Sequence, residues 1–359
     1  MKIIILILIV LILIDLRMQY CVKKIKRIDE DGALYEIEYR GNYHHFLAIL
    51  PFWIIRTFGC TAFMTHNEKG EIITGRNYDM PHFTNKKELT GLNAVIHLSP
   101  KGKYKSVNVA DLSWLSYLKM NYVKGILDTR FHNLWLIVSP YLCMDGINEK
   151  GLTCSILYLD VKKGEKPTDQ KVKGLKKTTI NEITRNIIDS CATCEEAIAL
   201  VKQYNLHHVI HSDFHLFISD LTNRSVVLEW RYNELKVTEV DACTNFYVGY
   251  DDAEDCYYGE DLKEKYIPAR KKTRDYHYGY GHGYERFFTV TDLLDQHIIH
   301  DLYTQMKEEE VKDALVKTSQ EYNGMMTSYT QYSCIYNQNQ LSLDVYVQMD
   351  YQHKYSFKL

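Results

Sequence analysis

Short apolar segments separated by turn residues occupy most of the chain from residue 60 onward, and most have the length and composition of β-strands. The segments TAFMTHN and EIITGRNYDM, joined by the turn NEKG, predict a β-hairpin. Further strands are predicted at 91–99 and 152–160, and a second hairpin in FHLFISD, LTNRS and VVLEW. The last three predicted strands lie in SYTQYSCIYN, QLSLDVYVQM and KYSFKL.

Two pairs of helices are predicted between these strands. The first helix, over 177–190, has isoleucines at helical spacing: Ile180, Ile183, Ile187 and Ile188. A second helix is predicted from Thr193, because Thr193 and Glu196 have the spacing of a capping box. Two more helices are predicted at 285–305 and 309–321. Strands, a helix pair, strands, a helix pair and strands predict an α+β fold, with antiparallel sheets and with helices on the outside.

The amino terminus has an unbroken apolar run from Ile3 to Ile14. This run is typical of a secretory signal and is shorter than the roughly 20 residues that cross a bilayer. We therefore expect residues 1–20 to be a signal peptide or, alternatively, an uncleaved signal anchor, and the protein to be secreted or lumenal. Membrane association through this segment before cleavage stays open, as does a buried N-terminal strand or helix.

Composition excludes some classes of function. The formal net charge of −3 over 359 residues argues against a nucleic-acid binder that works through bulk electrostatics. Nine cysteines on a secretory route would leave at least one unpaired or paired with another chain. Cys191 and Cys194 fit a local disulfide or plain thiols, and the scattered histidines predict no zinc site. No cofactor is expected, and a homo-oligomer is neither required nor excluded.

The segment FGCT raises the question of catalysis, because Cys60 follows Gly59 at the start of the first predicted strand. A nucleophilic thiol needs a base or a positive neighbour. No histidine follows Cys60 in a papain-like or caspase-like pattern. The α-amino group of Cys60 could serve as the base if the chain is cut before it, since such an amine titrates near pH 8. Arg76 could then stabilise the thiolate, and Asp79 could hold the new ammonium group.

Several blocks of the chain resemble the choloylglycine hydrolase family, which contains the bile salt hydrolases and penicillin V acylases and belongs to the N-terminal nucleophile hydrolases. CTAFMTHNEKGEIITGRNYDM is similar to the family's amino terminus, with Cys60, Arg76 and Asp79 at matching spacing. DGINEKGLTCSILYL resembles the second block, and CTNFYV the block with the oxyanion asparagine. GYERFF resembles a block that ends in Arg-Phe.

This resemblance implies a four-layer αββα sandwich over residues 60–359, and autocatalytic removal of a pro-segment, residues 21–59, by cleavage at Gly59–Cys60. It also implies that Cys60 attacks the carbonyl of a small-molecule N-acyl amide, and that the Asn245 side chain and the backbone N–H of Tyr158 hold the oxyanion. The implied catalytic residues are Cys60, Arg76, Asp79, Tyr158, Asn245 and Arg286.

Alternative functions remain at this point. Tyr158 is more similar to penicillin V acylases than to bile salt hydrolases. The long leader is more similar to acid amidases that hydrolyse ceramide or N-acylethanolamines. An acyltransferase and an unprocessed, non-catalytic binding relative also fit the sequence. Asn223, in NRS, is a glycosylation site if the chain enters a eukaryotic secretory pathway.

Overall fold

The computed structural model describes residues 20–29, 34–43, 59–80, 92–113, 138–208, 212–253, 276–299, 303–321 and 329–359, and single positions at 6, 9, 12, 13, 16 and 136. Most of the apolar run Ile3–Ile14, the later part of the predicted pro-segment (44–58) and Cys256 lie outside these residues. None of the described helices is long and apolar enough to span a bilayer.

The secondary structure is dominated by strands. In chain order the strands are β1 (Val22–Arg27), β2 (Leu34–Arg40), β3 (Gly59–His66), β4 (Ile72–Asp79), β5 (Asn93–Ser99), β6 (Ser106–Asp111), β7 (Cys143–Asn148), β8 (Thr153–Leu159), β9 (Lys176–Thr178), β10 (Tyr204–Leu206), β11 (Asp213–Asp220), β12 (Arg224–Arg231), β13 (Glu234–Glu239), β14 (Ala242–Cys243), β15 (Asn245–Phe246), β16 (Gly281–His282), β17 (Ile298–Ile299), β18 (Tyr303–Thr304), β19 (Thr330–Asn337), β20 (Ser342–Val347) and β21 (Tyr355–Lys358). The helices are α1 (Ile180–Ser190), α2 (Cys194–Val201), α3 (Tyr284–Gln296) and α4 (Glu308–Thr318), with a 3-10 turn at Ser139–Tyr141.

Most strands belong to two sheets. Within the described residues, the larger sheet has nine strands in the order β1-β2-β5-β6-β7-β8-β11-β12-β13, and the smaller has six in the order β14-β3-β4-β19-β20-β21. Neighbouring strands in these sheets are antiparallel except β2 and β5, which pair in parallel. The predicted hairpins β3–β4 and β11–β12 are confirmed.

The larger sheet is buried on both faces. On β11, Leu216 and Ile218 belong to the apolar cluster beneath helices α1 and α2, whereas Phe217 between them belongs to the core shared by the two sheets. Successive side chains of a strand point to opposite faces, so an unbroken apolar segment such as this fits a sheet covered on both sides.

Helices form the two outer layers. Helices α1 and α2 cover the larger sheet, and α3 and α4 lie against β3, β4 and β19 of the smaller one. The order of layers is therefore helices, sheet, sheet, helices. This confirms the predicted four-layer αββα sandwich.

Side-chain caps set the starts of α1 and α2. Thr179 caps α1 by accepting from the N–H of Glu182, whose carboxylate accepts from the N–H of Thr179, so α1 begins at Ile180. Thr193 caps α2 by accepting from Glu196 at 3.2 Å. The two predicted starts thus agree with the structure to within a few residues.

The third helix is shorter than predicted. It ends at Gln296, whereas the sequence predicts helix to 305, and the backbone N–H of His297 closes the last turn on Leu294 at 3.0 Å. β17 then pairs with β18 as a small antiparallel ribbon. Isoleucines Ile298 and Ile299 favour this extended conformation because they are β-branched.

The amino-terminal strands β1 and β2 were not predicted from the sequence, because the segment VKKIKRIDEDG is highly charged. β1 is an edge strand that exposes Lys23, Lys24 and Lys26, and such charges discourage pairing with another chain. β2 buries Leu34, Ile37 and Tyr39 in the core between the sheets. The folded unit therefore includes residues before Cys60.

Candidate active site

Cys60 lies at the second position of β3, the strand next to the edge of the smaller sheet, and its side chain is buried. The hairpin register places Gly59 opposite Asp79 and Cys60 opposite Tyr78 on β4. The backbone N–H of Cys60 donates to Asn245 Oδ1 at 2.7 Å. Both the thiol and the backbone nitrogen of Cys60 therefore face residues predicted for catalysis.

Arg76 is fully buried beside the thiol. Its Nη2 donates to Cys60 Sγ at 3.2 Å and to the carbonyl of Ile156 at 2.6 Å, and its Nη1 donates to the carbonyl of Asn77 at 2.9 Å. Burial acts to lower the pKa of Arg76, but Cys60 and Asp145 outweigh it, and the pKa is raised. The guanidinium thus stays cationic next to the sulfur.

Asp145, on β7 of the opposite sheet, neutralises Arg76. Its Oδ2 lies 3.5 Å from Arg76 Nε, and neither side chain is exposed. The hydroxyl of Tyr332 donates to Asp145 at 2.7 Å, and the hydroxyl of Tyr336 donates to its other oxygen. Burial raises the pKa of Asp145, and Arg76 opposes that rise. Asp145 was not predicted as a site residue, although it opens the block DGINEKGL.

The carboxylate of Asp79 is held on both oxygens. Thr330 Oγ1 donates to Oδ1 at 2.6 Å, and Gln320 Nε2 donates to Oδ2 at 2.8 Å. Arg286 Nη1 lies 3.6 Å from Oδ2. Burial raises the pKa of Asp79 above its usual value, while Arg286, Thr330 and Gln320 act to lower it. Gln320 and Thr330 were not predicted as site residues, and nothing in their local sequence marks them.

This arrangement predicts the effect of Thr330→Val on pH dependence. Valine removes a donor that lowers the pKa of Asp79, so that pKa should rise further. If turnover needs the ionised carboxylate, activity is lost as pH falls through this pKa, and the acidic limb of kcat/KM should move to higher pH. Thr184→Val, at a buried threonine of α1 that donates to Ile180, is the control and should leave the limb in place. An unchanged limb in Thr330→Val would contradict this role of Asp79.

Asn245 and Arg286 lie on the other side of Cys60. Asn245 Nδ2 donates to the carbonyl of Tyr158 at 2.8 Å, and its Oδ1 also accepts from Arg286 Nη2 at 2.8 Å. Arg286, near the start of α3, donates through Nη1 to the Cys60 carbonyl and to Thr61 Oγ1, the latter at 3.0 Å. Burial lowers the pKa of Arg286. These bonds fix the Asn245 amide against the backbone of Cys60.

Tyr158 contributes its backbone to this group and its ring to the surroundings. The ring packs edge-on against Phe214, with 6.0 Å between centroids, and Ser212 Oγ donates to its hydroxyl at 3.4 Å. Burial raises the pKa of the Tyr158 hydroxyl. Beyond it, His282 Nδ1 and Asp160 Oδ2 form a partly exposed pair 2.7 Å apart. The Tyr158 and Phe214 rings, with the His282–Asp160 pair beyond them, therefore border the site.

The remaining predicted positions lie apart from the thiol, except Gly59. Asn223 is exposed in the turn between β11 and β12, with φ of 65°. Cys191 and Cys194 are free thiols, so of the two predicted alternatives the structure has plain thiols and no local disulfide between them. Among the described residues there is no group of three or more side chains that could hold a metal ion.

The fold and the site together define a class. Two facing sheets between helix layers, with a cysteine at the start of a central hairpin, have the architecture of the N-terminal nucleophile hydrolases. Residues 60–245 match the family of linear amide C-N hydrolases, choloylglycine hydrolase family. The chain belongs to this family of amide hydrolases, as its sequence blocks imply.

Solved structures with the same fold include two from this class. One is a variant of the conjugated bile acid hydrolase from Clostridium perfringens, with a TM-score of 0.57, 16% identity, and coverage of 83% of this chain and 92% of that chain. The other is penicillin V acylase from Agrobacterium tumefaciens, with a TM-score of 0.51, 13% identity, and coverage of 84% and 86%. A search of curated protein sequences gave no significant match.

Proposed function

We propose that this protein is a cysteine N-terminal nucleophile hydrolase that cleaves a linear, non-peptide N-acyl amide, and that cleavage at Gly59–Cys60 activates it. One observation carries the proposal: Arg76 Nη2 lies 3.2 Å from Cys60 Sγ at the start of β3. On the same residue, the backbone N–H of Cys60 donates to Asn245 Oδ1. A buried cation beside a thiol at a strand terminus suits nucleophilic catalysis better than a structural role.

Activation frees the α-amino group of Cys60. This amine titrates near pH 8, so a useful fraction is neutral near neutrality and can accept the thiol proton. Asp79, opposite Gly59 in the hairpin, is placed to hold the amine when it is protonated. Cys60 Sγ then attacks the substrate carbonyl, the amine gives its proton to the leaving nitrogen, and water hydrolyses the thioester.

The oxyanion is held by the Asn245 amide and the backbone N–H of Tyr158 in this proposal. The Asn245 side-chain amide contacts the backbone N–H of Cys60 at the start of β3, and it is fixed by Arg286 and the Tyr158 carbonyl. We expect Asn245→Ala to reduce kcat by about 10²–10³-fold, because one oxyanion donor is lost. Steady-state kinetics on the cleaved enzyme measures this. A kcat within twofold of the parent enzyme would place the oxyanion elsewhere.

For the substrate we propose an N-acyl amide with an apolar or aromatic acyl group, as in penicillin V. The support is the buried Tyr158 ring, packed on Phe214 at the border of the site. Bile salt amides and lipid amides of the ceramide or N-acylethanolamine type are the competing substrates. A panel of penicillin V, glycocholate and an N-acylethanolamine, each with and without hydroxylamine as acceptor, separates these classes. Hydroxamate formation would report capture of the thioester by an amine, and an acyltransferase would in addition release little free acid when hydroxylamine is absent.

The amino-terminal residue of the purified protein is the decisive measurement. Intact mass and N-terminal sequencing should find a chain that begins at Cys60. A preparation that begins near residue 20, with Gly59–Cys60 intact after incubation across acidic and neutral pH, would instead favour a non-catalytic binding relative.

Residues 1–20 are proposed to direct the chain to a secreted or lumenal location, with association to the membrane before cleavage. Expression of the full chain in a secreting host, with assay of medium and membrane fractions, tests this. A protein confined to the cytoplasm would contradict it. Glycosylation of Asn223 would appear as a mass loss on glycosidase treatment.

A further inference from the structure

We propose, on the basis of the proposed self-cleavage, that Gln320 makes the cleavage site specific for glycine at position 59. Gln320 occupies the space beside residue 59 and at the same time holds the carboxylate of Asp79. A side chain at position 59 would therefore displace Gln320 and release Asp79. Gln320 is in this view a positioning residue, and it acts through Asp79.

The space beside Gly59 is filled. A Cβ built on Gly59 would lie 2.0 Å from Gln320 Nε2 and 2.9 Å from Asp79 Oδ2. Both distances are below the 3.0 Å that real Cβ contacts respect. Asp79 is fully buried and lies directly opposite Gly59 in the hairpin, so of the two groups the end of the Gln320 side chain is the easier to move.

Gln320 is itself held in place by the chain that returns to the site. It lies just beyond the C-terminus of α4, and its backbone N–H donates to Thr330 Oγ1 at 2.8 Å. The N–H of Thr330 donates back to the Gln320 carbonyl at 3.0 Å. Thr330 Oγ1 and Gln320 Nε2 each bind one oxygen of Asp79. Moving the Gln320 side chain thus breaks one of these two hydrogen bonds to the Asp79 carboxylate.

The cleavage step needs the Asp79 carboxylate to be held in position beside Gly59, where the bonds form and break. Cys60 Sγ forms a bond to the Gly59 carbonyl carbon while the C–N bond to Cys60 breaks, and the thiol proton ends on the freed nitrogen. Water then hydrolyses the thioester to a Gly59 carboxylate and a free Cys60 thiol. Asp79 lies against Gly59 throughout and is placed to bind the amine as it forms.

A simpler explanation for the glycine is that it offers little steric hindrance to attack by its neighbour. That explanation involves residue 59 alone and predicts no dependence on residue 320. The proposal predicts that the two positions are coupled, because the atom that a Cβ would meet first belongs to Gln320. A double substitution therefore distinguishes them.

The experiment follows cleavage of the full chain over time by intact mass in four variants and the parent. Gly59→Ala should slow cleavage by about tenfold or more, because the new methyl group has no space. Gln320→Ala should slow it less, by a few-fold. Gly59→Ala with Gln320→Ala should cleave faster than Gly59→Ala alone but no faster than Gln320→Ala alone, because the 2.9 Å contact of the new Cβ with Asp79 Oδ2 remains. The fourth variant is the control, Gly59→Ala with Gln338→Ala. Gln338 is a buried glutamine that donates to the Gly151 carbonyl, and its substitution should not rescue Gly59→Ala.

Each outcome bears on one proposal or on both. Gly59→Ala that cleaves at the parent rate, or a double variant no faster than Gly59→Ala alone, would overturn the role of Gln320 while self-cleavage stands. Failure of the parent chain to cleave would overturn both proposals. Rescue by Gln320→Ala together with no rescue by Gln338→Ala would support the coupling and exclude a general loosening of the fold.

Discussion

Cys60→Ala is expected to leave Gly59–Cys60 uncleaved and to lower amide hydrolysis by about 10⁴-fold or more, since the thiol serves both steps. Without sulfur there is no thioester, and without cleavage there is no α-amino base. Intact mass measures the first effect and release of the amine product measures the second. Both should be lost together, although the fold should survive, because Ala fits where a buried thiol did.

Cys154→Ala is the matched control. Cys154 is also a fully buried thiol on a strand, but it lies in the apolar cluster beneath α1 and α2. Its substitution should cost some stability and leave cleavage and turnover near parent rates. Wild-type hydrolysis by Cys60→Ala would refute the mechanism, and equal losses in both variants would mean that a damaged core explains the effect.

Arg76→Met is expected to lower the free energy of unfolding by about 3–5 kcal/mol, because it leaves the buried carboxylate of Asp145 without its cation. It should also slow amide hydrolysis on the order of 10²-fold or more, since the thiolate loses its positive neighbour. Denaturant unfolding and steady-state kinetics, both well below the unfolding temperature, measure the two effects.

Arg185→Met separates these effects. Arg185 is likewise buried and paired, with Nε 2.9 Å from Asp189 Oδ1, but it lies on α1 away from the thiol. Asp189 keeps Lys103, whose Nζ lies 2.8 Å from its Oδ2, so Arg185→Met should lose less stability than Arg76→Met and should keep its activity. Adding Asp145→Asn to Arg76→Met should recover stability without activity, because the unpaired charge is gone. Full activity in Arg76→Met would remove Arg76 from the mechanism.

Sequence patterns predicted the β3–β4 hairpin because all of its information is local. Two strands and a four-residue turn set the register, and the register alone places Gly59 opposite Asp79. The start of α2 was predicted for the same reason, since a threonine cap and a glutamate three residues later act within one turn. The first helix was predicted from its isoleucine spacing instead, and it begins at Ile180, after the cap Thr179.

Contacts between distant segments could not be predicted in this way. Asp145 pairs with Arg76 across the two sheets, and Gln320 meets Asp79 from the end of a helix far along the chain. Neither is marked by spacing or composition. Strand β1, in the charged segment before the hairpin, was not predicted. An edge strand can be stabilised by pairing on one side while its lysines remain in water, so its sequence need not be apolar.

The parallel pairing of β2 with β5 has a consequence for refolding. Its seven registered positions, from Leu34 with Asn93 to Arg40 with Ser99, join segments that lie on either side of Gly59–Cys60. A cut at that bond turns a sheet of one chain into a sheet shared by two polypeptides. The uncut chain can regain this pairing after denaturation at a rate independent of protein concentration, whereas the cut protein would refold as a second-order reaction that fails on dilution.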